Sequence, residues 1–260
     1  MDEVPAERIS DDDLRAMSID PARARRYFKK SYGMTFQVYS RARRMGVALG
    51  QIREGTDLTS VALGHGYDSN SGFRHAFERT FGGPPGRCRS EECLVTQMIE
   101  SPIGRLMACA TSSAVCLLEF TERRSLESQV DTLRKRFRRA IVPGANAHLQ
   151  QLREELAAYF AGERAAFSVA IDYPGTPFQV AVWDRLLQIP YGETLSYSRL
   201  AEDVGRQGAS RAAGRANGDN RLAILIPCHR VVNKNGRLGG YGGGLWRKQF
   251  LLDLERGGAA

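Results

Sequence analysis

The chain has 260 residues, enough for two or three compact domains that each bury their own core. Its formal net charge of +8 points to a polyanionic partner, while its five cysteines (88, 93, 109, 116 and 228), odd in number and unevenly spaced, argue against a disulfide scaffold and suit a reducing compartment. No apolar run approaches the roughly 18 residues of a membrane span, and the acidic start MDEVPAERISDDD has no apolar signal-peptide core, so a cytoplasmic protein without membrane contact is expected.

The charge is uneven. From Pro21 to Arg53 there are nine Lys/Arg and no Asp/Glu, and from Val204 to Phe250 nine Lys/Arg and only Asp219 as an acid. Two contacts with phosphate would explain this, as would two solvated faces, the usual fate of a charge run.

Residues 1–90 read as helices. In PARARRYFKK, helical spacing places Tyr27 and Phe28 on the apolar side. GMTF breaks this helix and QVYSRARRMGVALGQI begins another. In TDLTSVALGHGYDSNSGFRHAFERTFGGPP, Thr56 or Asp57 caps a short helix, Gly66 ends it, and Asp68 or Ser69 caps the next. Two short helices about a glycine turn make a helix-turn-helix candidate.

Ala62, Gly66, Tyr67, Asp68, Ser71, Phe73, Phe77, Phe81, Gly82 and Pro84 give this stretch a resemblance to the DNA-binding domain of AraC-type transcription regulators. A first helix-turn-helix unit over about residues 12–32 matches less well; its leading helix is acidic (DDDLRAM) and Asp20 stands at an N-cap position. The resemblance implies recognition helices at Pro21–Lys30 and Asn70–Arg79 in successive major-groove segments, with Arg23, Arg26, Arg74 and His75 as candidate DNA contacts. Each could equally be a solvated charge or a phosphate contact without sequence information.

Residues 91–173 read as a small α/β unit. LVTQMIESPIGRLMACATSSAVCLLEF holds two or three strands, ESQVDTLRKRFRRA and AHLQQLREELAAYFAGE are helices, the second ending at Gly162, and FSVAIDY is expected to add a strand. Cys109 and Cys116 lie on apolar runs as buried, inert thiols. Cys88 and Cys93 would need two further ligands to hold a metal, and no metal site is expected.

Residues 174–260 carry the chemistry. A helix runs from about Phe178 to Gln188, PYGE turns, SYSRLAEDVG is a helix, and GASRAAGRANG is a second helix rich in small residues. This is again helix-turn-helix order. Small side chains allow close backbone approach, which suits either a narrow groove or plain helix packing.

The run ILIPCHRVV then sets a cysteine beside a histidine. Alone, Pro-Cys-His would be a buried thiol next to a satisfied imidazole. Its surroundings differ: Tyr197 lies 31 residues before Cys228, Arg211 17 before, Asn220 8 before, Tyr241 13 after and Glu255 27 after. With PCHRVV and GYGGG, this pattern resembles the O6-alkylguanine-DNA alkyltransferases over roughly residues 94–260, most strongly from Thr176 onward. The fold implied is α+β and multidomain: an all-α AraC-type domain (1–90), a small α/β ribonuclease H-like subdomain (91–173) and a winged-helix-like catalytic domain (174–260).

The resemblance implies that Cys228 takes a methyl or larger alkyl group from O6 of guanine, and from O4 of thymine, in double-stranded DNA. A free thiol, with a pKa of about 8.5, is mostly protonated at neutral pH, so a coupled base is needed. By resemblance His229 takes the proton through a bridging water, Glu255 orients and charges the imidazole, and Asn220 braces the turn before the cysteine. The base would be flipped out of the duplex, at a cost of a few kcal/mol. Arg211 would fill the vacated space, and Tyr197 would press on the neighbouring phosphate and donate its hydroxyl to the guanine. The carbonyls of Cys228 and Val231 would accept from the exocyclic amine, and the N–H of Gly242 would hold O6. Taken singly, Tyr241 could only wall the pocket and Arg211 could be a phosphate contact.

Two positions depart from relatives. Asn217 stands where others have an apolar or small residue, and Gly242 where some have serine; only the N–H is needed at Gly242, so the change is expected to be harmless, with a wider pocket as the alternative. The product is a thioether that nothing in the chain looks able to reverse, and no cofactor motif is visible, so one protein performs one repair without a cofactor.

An AraC-like module joined to an alkyltransferase resembles the Ada-type adaptive-response proteins. Those carry a four-cysteine zinc domain at the N-terminus; here no cysteine precedes residue 88. The alternative reading is a transcription regulator that uses the alkyltransferase part as a damage sensor. A regulator of this kind would also meet RNA polymerase, and a monomer is expected. A Cys-His-Glu hydrolase, turning over an ester or amide, is a third reading that the DNA-binding surroundings disfavour.

Overall fold

The computed structural model describes residues 9–89 and 92–257; the acidic start and the expected boundary at 90–91 lie outside them. These residues form two compact units, one of residues up to 97 plus 124–146, the other of 98–123 plus 147 onward. No helix among the described residues is long and apolar enough to cross a membrane.

In the first unit, Ser10 and Asp13 cap α1 (Asp11–Ala16) reciprocally. Asp20, followed by Pro21, starts α2 (Pro21–Tyr32) by accepting from the N–H groups of Ala22 and Arg23. α3 (Phe36–Arg53) begins behind Thr35, α4 (Leu58–Gly64) behind Asp57, and α5 (Asn70–Phe81) behind Ser69. Gly66, at φ +71°, supplies the left-handed turn between α4 and α5 that a side chain would strain. A short α6 (Pro85–Cys88) follows.

Two small cores hold these helices, and α3 serves both. Ile9, Leu14, Ala24 and Phe36 enclose Phe28. Met45, Leu49, Ile52, Val61, Phe73, Phe77 and Cys88 form the second. Phe73 and Phe77 are fully buried, each contributing about 2–3 kcal/mol of apolar burial. One expectation is corrected: Tyr27 is exposed, because the buried stripe of α2 runs through Ala24, Ser31 and Tyr32 with Phe28 half-buried. Residues 94–97 of β1 (Leu94–Ile99) also belong to this unit, and the first three of them pair in parallel with a later strand described below.

In the second unit, β2 (Leu106–Ala110) and β3 (Val115–Phe120) form an antiparallel ribbon in which Leu106 faces Phe120 and Ala108 faces Leu118. Back in the first unit, α7 (Leu126–Phe137) ends in Arg138 at φ +50° and leads to β4 (Ile141–Pro143), the partner of β1; α7 packs on α2, and β4 lies against α3. Three residues are too few to show a period, and so β4 escapes sequence reading.

The second unit resumes with α8 (Ala147–Phe160), packed on β2. FSVAIDY is not a strand: only Ile171 bridges to Val115. Its backbone donors are diverted, since the N–H groups of Ser168 and Val169 bond the Glu155 carboxylate at 2.9 and 3.2 Å. α9 (Pro177–Leu187) has a Thr176–Gln179 capping box. β5 (Leu195–Ser196) precedes α10 (Tyr197–Asp203) and α11 (Ser210–Gly218). A single 3-10 turn, Cys228–Arg230, runs into β6 (Val231–Val232), and α12 (Leu245–Glu255) closes the unit. β5 and β6 pair in parallel, which fixes Tyr197 beside the segment that carries Cys228.

Candidate active site

The loop from Asn220 to Val232 is held from within. Asn220 is 2 % exposed; its Nδ2 donates to the carbonyl of Ile226 at 2.9 Å and to Cys228 Sγ at 3.2 Å, and its Oδ1 accepts from Leu222 N–H at 2.9 Å. β3 grips the loop from outside: Leu118 N–H donates to Arg221 O and Ala223 N–H to Leu118 O. Ile224 takes φ +70°, a conformation that a β-branched residue adopts only under such restraint. One asparagine thus sets both the backbone before the cysteine and a donor to its sulfur.

Glu255 ends α12 fully inside the protein. Its Oε1 accepts from His229 Nε2 at 2.7 Å, Tyr159 hydroxyl at 2.7 Å and Arg230 Nη2 at 2.9 Å; its Oε2 accepts from Arg230 Nε at 2.8 Å. Burial alone would raise this carboxyl, but the bonds from His229 and Arg230 outweigh it and hold it down at about 2. Burial lowers the His229 pKa against the pull of Glu255, so the ring is neutral near pH 7. An ionised carboxylate only accepts, which places the ring proton on Nε2 and leaves the lone pair on Nδ1. That Nδ1 has no hydrogen-bond partner among the described residues. The arrangement is a poised base.

Cys228 lines a cavity of about 500 Å³ together with Glu119, Arg123, Tyr197, Arg211, Asn217, Tyr241 and Gly242. Burial pushes its thiol pKa up; the Asn220 bond, Arg123 and Lys248 oppose this, and Glu119 adds to it. Tyr197 donates its hydroxyl to Gly240 O at 3.3 Å, and burial, then the nearby Cys228, raises its pKa. The buried hydroxyl of Tyr241 has no protein partner, and the same two causes push its pKa well up. Arg211 is exposed at the first turn of α11, whose buried face of Ala213 and Ala216 packs inside the protein; Trp183 Nε1 donates to Ala216 O.

Of the residues named from the sequence, the structure bonds Asn220 to Cys228 and His229 to Glu255, the two pairs being joined through the Cys228–His229 backbone, and places Tyr197, Arg211, Tyr241 and Gly242 around the cavity. Val231 is fully buried and does not line the cavity; its carbonyl accepts from Lys248 Nζ at 2.5 Å. The carbonyl of Cys228 accepts from Asn217 Nδ2 at 3.4 Å. The pocket is not widened at Gly242: a Cβ there would stand 2.5–2.8 Å from three Arg123 guanidinium atoms, so Arg123 fills the space. Arg23 and Arg26 are exposed on α2, and Arg74 and His75 on α5.

Sequence reasoning missed several residues. Lys248 is fully buried, bonds the Val231 and Gly239 carbonyls, and is lowered to about 8 by burial against the pull of Cys228. Its place seven residues before Glu255, among leucines, was a legible signal. A carboxylate inside the apolar run VCLLEF was another. Tyr159 lies 96 residues from Glu255 and carries no local signal.

Three family models match the chain: a helix-turn-helix domain over residues 14–91, the ribonuclease-like domain of 6-O-methylguanine DNA methyltransferase over 94–173, and the DNA binding domain of the same proteins over 177–257. The methylated-DNA--protein-cysteine methyltransferase of Mycobacterium bovis is 45 % identical over 158 residues, 61 % of this chain and 90 % of that protein. The inducible enzyme of Bacillus subtilis is 43 % identical, over 52 % of this chain and 76 % of that protein. The crystal structure of Mycobacterium tuberculosis OGT in complex with DNA matches with a TM-score of 0.56 and 43 % identity, covering 64 % of this chain and 94 % of that one. A cysteine at an open cavity, beside a buried histidine–carboxylate pair and on a chain with its own helix-turn-helix part, fits a protein that moves a group onto its own cysteine. The chain belongs to the methylated-DNA--protein-cysteine methyltransferase family.

Proposed function

We propose that this protein repairs DNA by moving a methyl or other alkyl group from O6 of guanine, and from O4 of thymine, onto Cys228, one group per chain. The observation that carries this is Cys228, bonded by Asn220, at an open cavity and adjacent in the chain to His229, which is itself bonded to Glu255. His229 Nδ1 takes the thiol proton through a water. The thiolate attacks the methyl carbon, the carbon–oxygen bond breaks, and its electron pair returns to guanine as the base is protonated with help from the Tyr197 hydroxyl. The product is S-methylcysteine and restored guanine. Arg211, at the cavity mouth, fills the stack behind the flipped base, and the N–H of Gly242 holds O6.

Double-stranded DNA is the partner, a reading supported by the Mycobacterium tuberculosis protein having been solved in complex with DNA. The exposed basic residues of α2 and α5 favour a second role as a regulator of an alkylation response, with Arg23, Arg26, Arg74 and His75 on the DNA side. The protein acts as a monomer in the cytoplasm, with three parts at 1–90, 91–173 and 174–260, and meets RNA polymerase at promoters. The test is incubation with duplex DNA containing O6-methylguanine, followed by mass mapping. One methyl per chain on Cys228, absent in Cys228→Ala with DNA binding retained, is expected. Methyl on another cysteine, or many turnovers per chain, overturns the reading.

A further inference from the structure

The wall of the cavity holds a buried ion pair that the mechanism above does not use. Glu119, on β3, is fully buried; its Oε1 accepts from Phe120 N–H at 2.9 Å, and its Oε2 pairs with Arg123 Nη1. Arg123 reaches onward: Nη1 donates to Asn220 O at 3.2 Å and Nη2 to Gly218 O. The same guanidinium lies over Gly242, where any Cβ would collide with it. Both residues line the cavity at whose floor Cys228 sits.

We infer that Arg123 is a positioning residue of this site: clamped by Glu119, it fixes the backbone of Asn220, the donor to Cys228 Sγ, fills the space above Gly242, and sets a positive charge in the cavity wall that favours the thiolate. The inference rests on the reading of Cys228 as the nucleophile. Glu119 acts as the clamp through its ion pair with Arg123, while its own charge opposes that of Arg123 at the thiol. The other groups facing Cys228 are Asn220 from its own loop, Tyr197 from α10, Tyr241 from the loop before α12, and Lys248 from α12. Arg123 differs from Lys248 in that it also holds the Asn220 carbonyl. Gly242 is then explained by its neighbour: a side chain there would push the guanidinium off three partners.

The test is the pH dependence of Cys228 alkylation by iodoacetamide, followed by mass mapping on the full chain; a sulfur–carbon bond forms and iodide leaves, so no repair activity is needed. Removing an opposite charge near the thiol in Arg123→Met should move the midpoint up by about one pH unit, or about tenfold less thiolate at neutral pH. Arg123→Lys should recover part of the shift. Glu119→Gln with Arg123→Met, a neutral pair, should shift less than Arg123→Met alone; it also carries the test if the unpaired Glu119 prevents Arg123→Met from folding. Gly242→Ser should raise the midpoint in the native chain and add little in the Arg123→Met background. An unchanged midpoint in a folded Arg123 variant, or a Gly242→Ser effect equally large in both backgrounds, overturns the inference. If the wild-type chain takes no methyl from O6-methylguanine DNA, the repair reading fails while the midpoints still judge Arg123.

Discussion

His229 donates through Nε2 to Glu255 Oε1 at 2.7 Å, while Arg230 grips the same carboxylate with two of its nitrogens. The carboxylate is therefore both the orienting partner of the base and the hub of a buried charge network. Glu255→Gln should slow methyl uptake by about 10- to 100-fold and, by leaving Arg230 without its counter-charge, cost about 3–5 kcal/mol of stability. The pH signature has a definite sign. Glu255 has its pKa depressed from 4.5 to about 2, so its contribution is fully present above pH 4.5 and is lost as pH falls toward about 2. That shift corresponds to about 3 kcal/mol. His229, also lowered, loses stability in the same direction as acid forces a proton onto it. Denaturant unfolding between pH 7 and pH 3 should show a shallower acid loss in Glu255→Gln than in the native chain; parallel curves would remove Glu255 from the network.

What was legible in the sequence followed from periodicity and fixed spacing. The helices over 37–52, 70–79 and 178–188 have caps and apolar stripes that local physics sets, and the structure agrees to within a few residues. Asn220, Cys228, His229 and Glu255 could be named because they keep their spacing on one continuous segment. Partners brought in by tertiary folding could not: Tyr159 from α8 and Arg123 after β3 reach the site across long loops. FSVAIDY has a strand's composition, yet a buried carboxylate on a neighbouring helix took its N–H groups. Tyr27 was misplaced because adjacent aromatics cannot both face one narrow core; Phe28 won.

Arg211 stands at the rim of the cavity, exposed, on a helix whose other face is packed. A residue that replaces a flipped base matters only when there is a stack to enter. Arg211→Ala should slow methyl uptake from duplex DNA at least tenfold more than it slows reaction with free O6-benzylguanine. Single-turnover rates on the two substrates check this. Equal losses would assign Arg211 to chemistry or folding instead.

Arg74 projects from α5 into solvent with no bonded partner to occupy it within that helix. If it meets a phosphate, Arg74→Ala should weaken binding to unmodified duplex about equally for all sequences and lower the slope of log K against log salt by about one. If it reads a base, the loss should instead concentrate on one operator sequence. Titrations of the Cys228→Ala chain at several salt concentrations distinguish the two, and an unchanged affinity on every duplex would take Arg74 off the DNA face. Arg23→Ala on α2 should behave as Arg74→Ala does if both helices engage the groove.

Cys88 and Cys93 are the thiols nearest the helix-turn-helix part, and their surroundings argue against a zinc switch. Cys88 is fully buried in the core that includes Met45, Phe73 and Phe77, and Cys93 packs partly against the same core. A tetrahedral zinc site needs four ligands, and two cysteines five residues apart supply only two. The chain should therefore bind no stoichiometric zinc through these cysteines and take no label from DNA whose only methyl groups are on phosphotriesters. Its affinity for an operator should not rise on exposure to such DNA. Zinc content by elemental analysis, with mass mapping of transferred label, makes the check. One zinc per chain with label on Cys88 or Cys93 would restore a built-in phosphotriester switch.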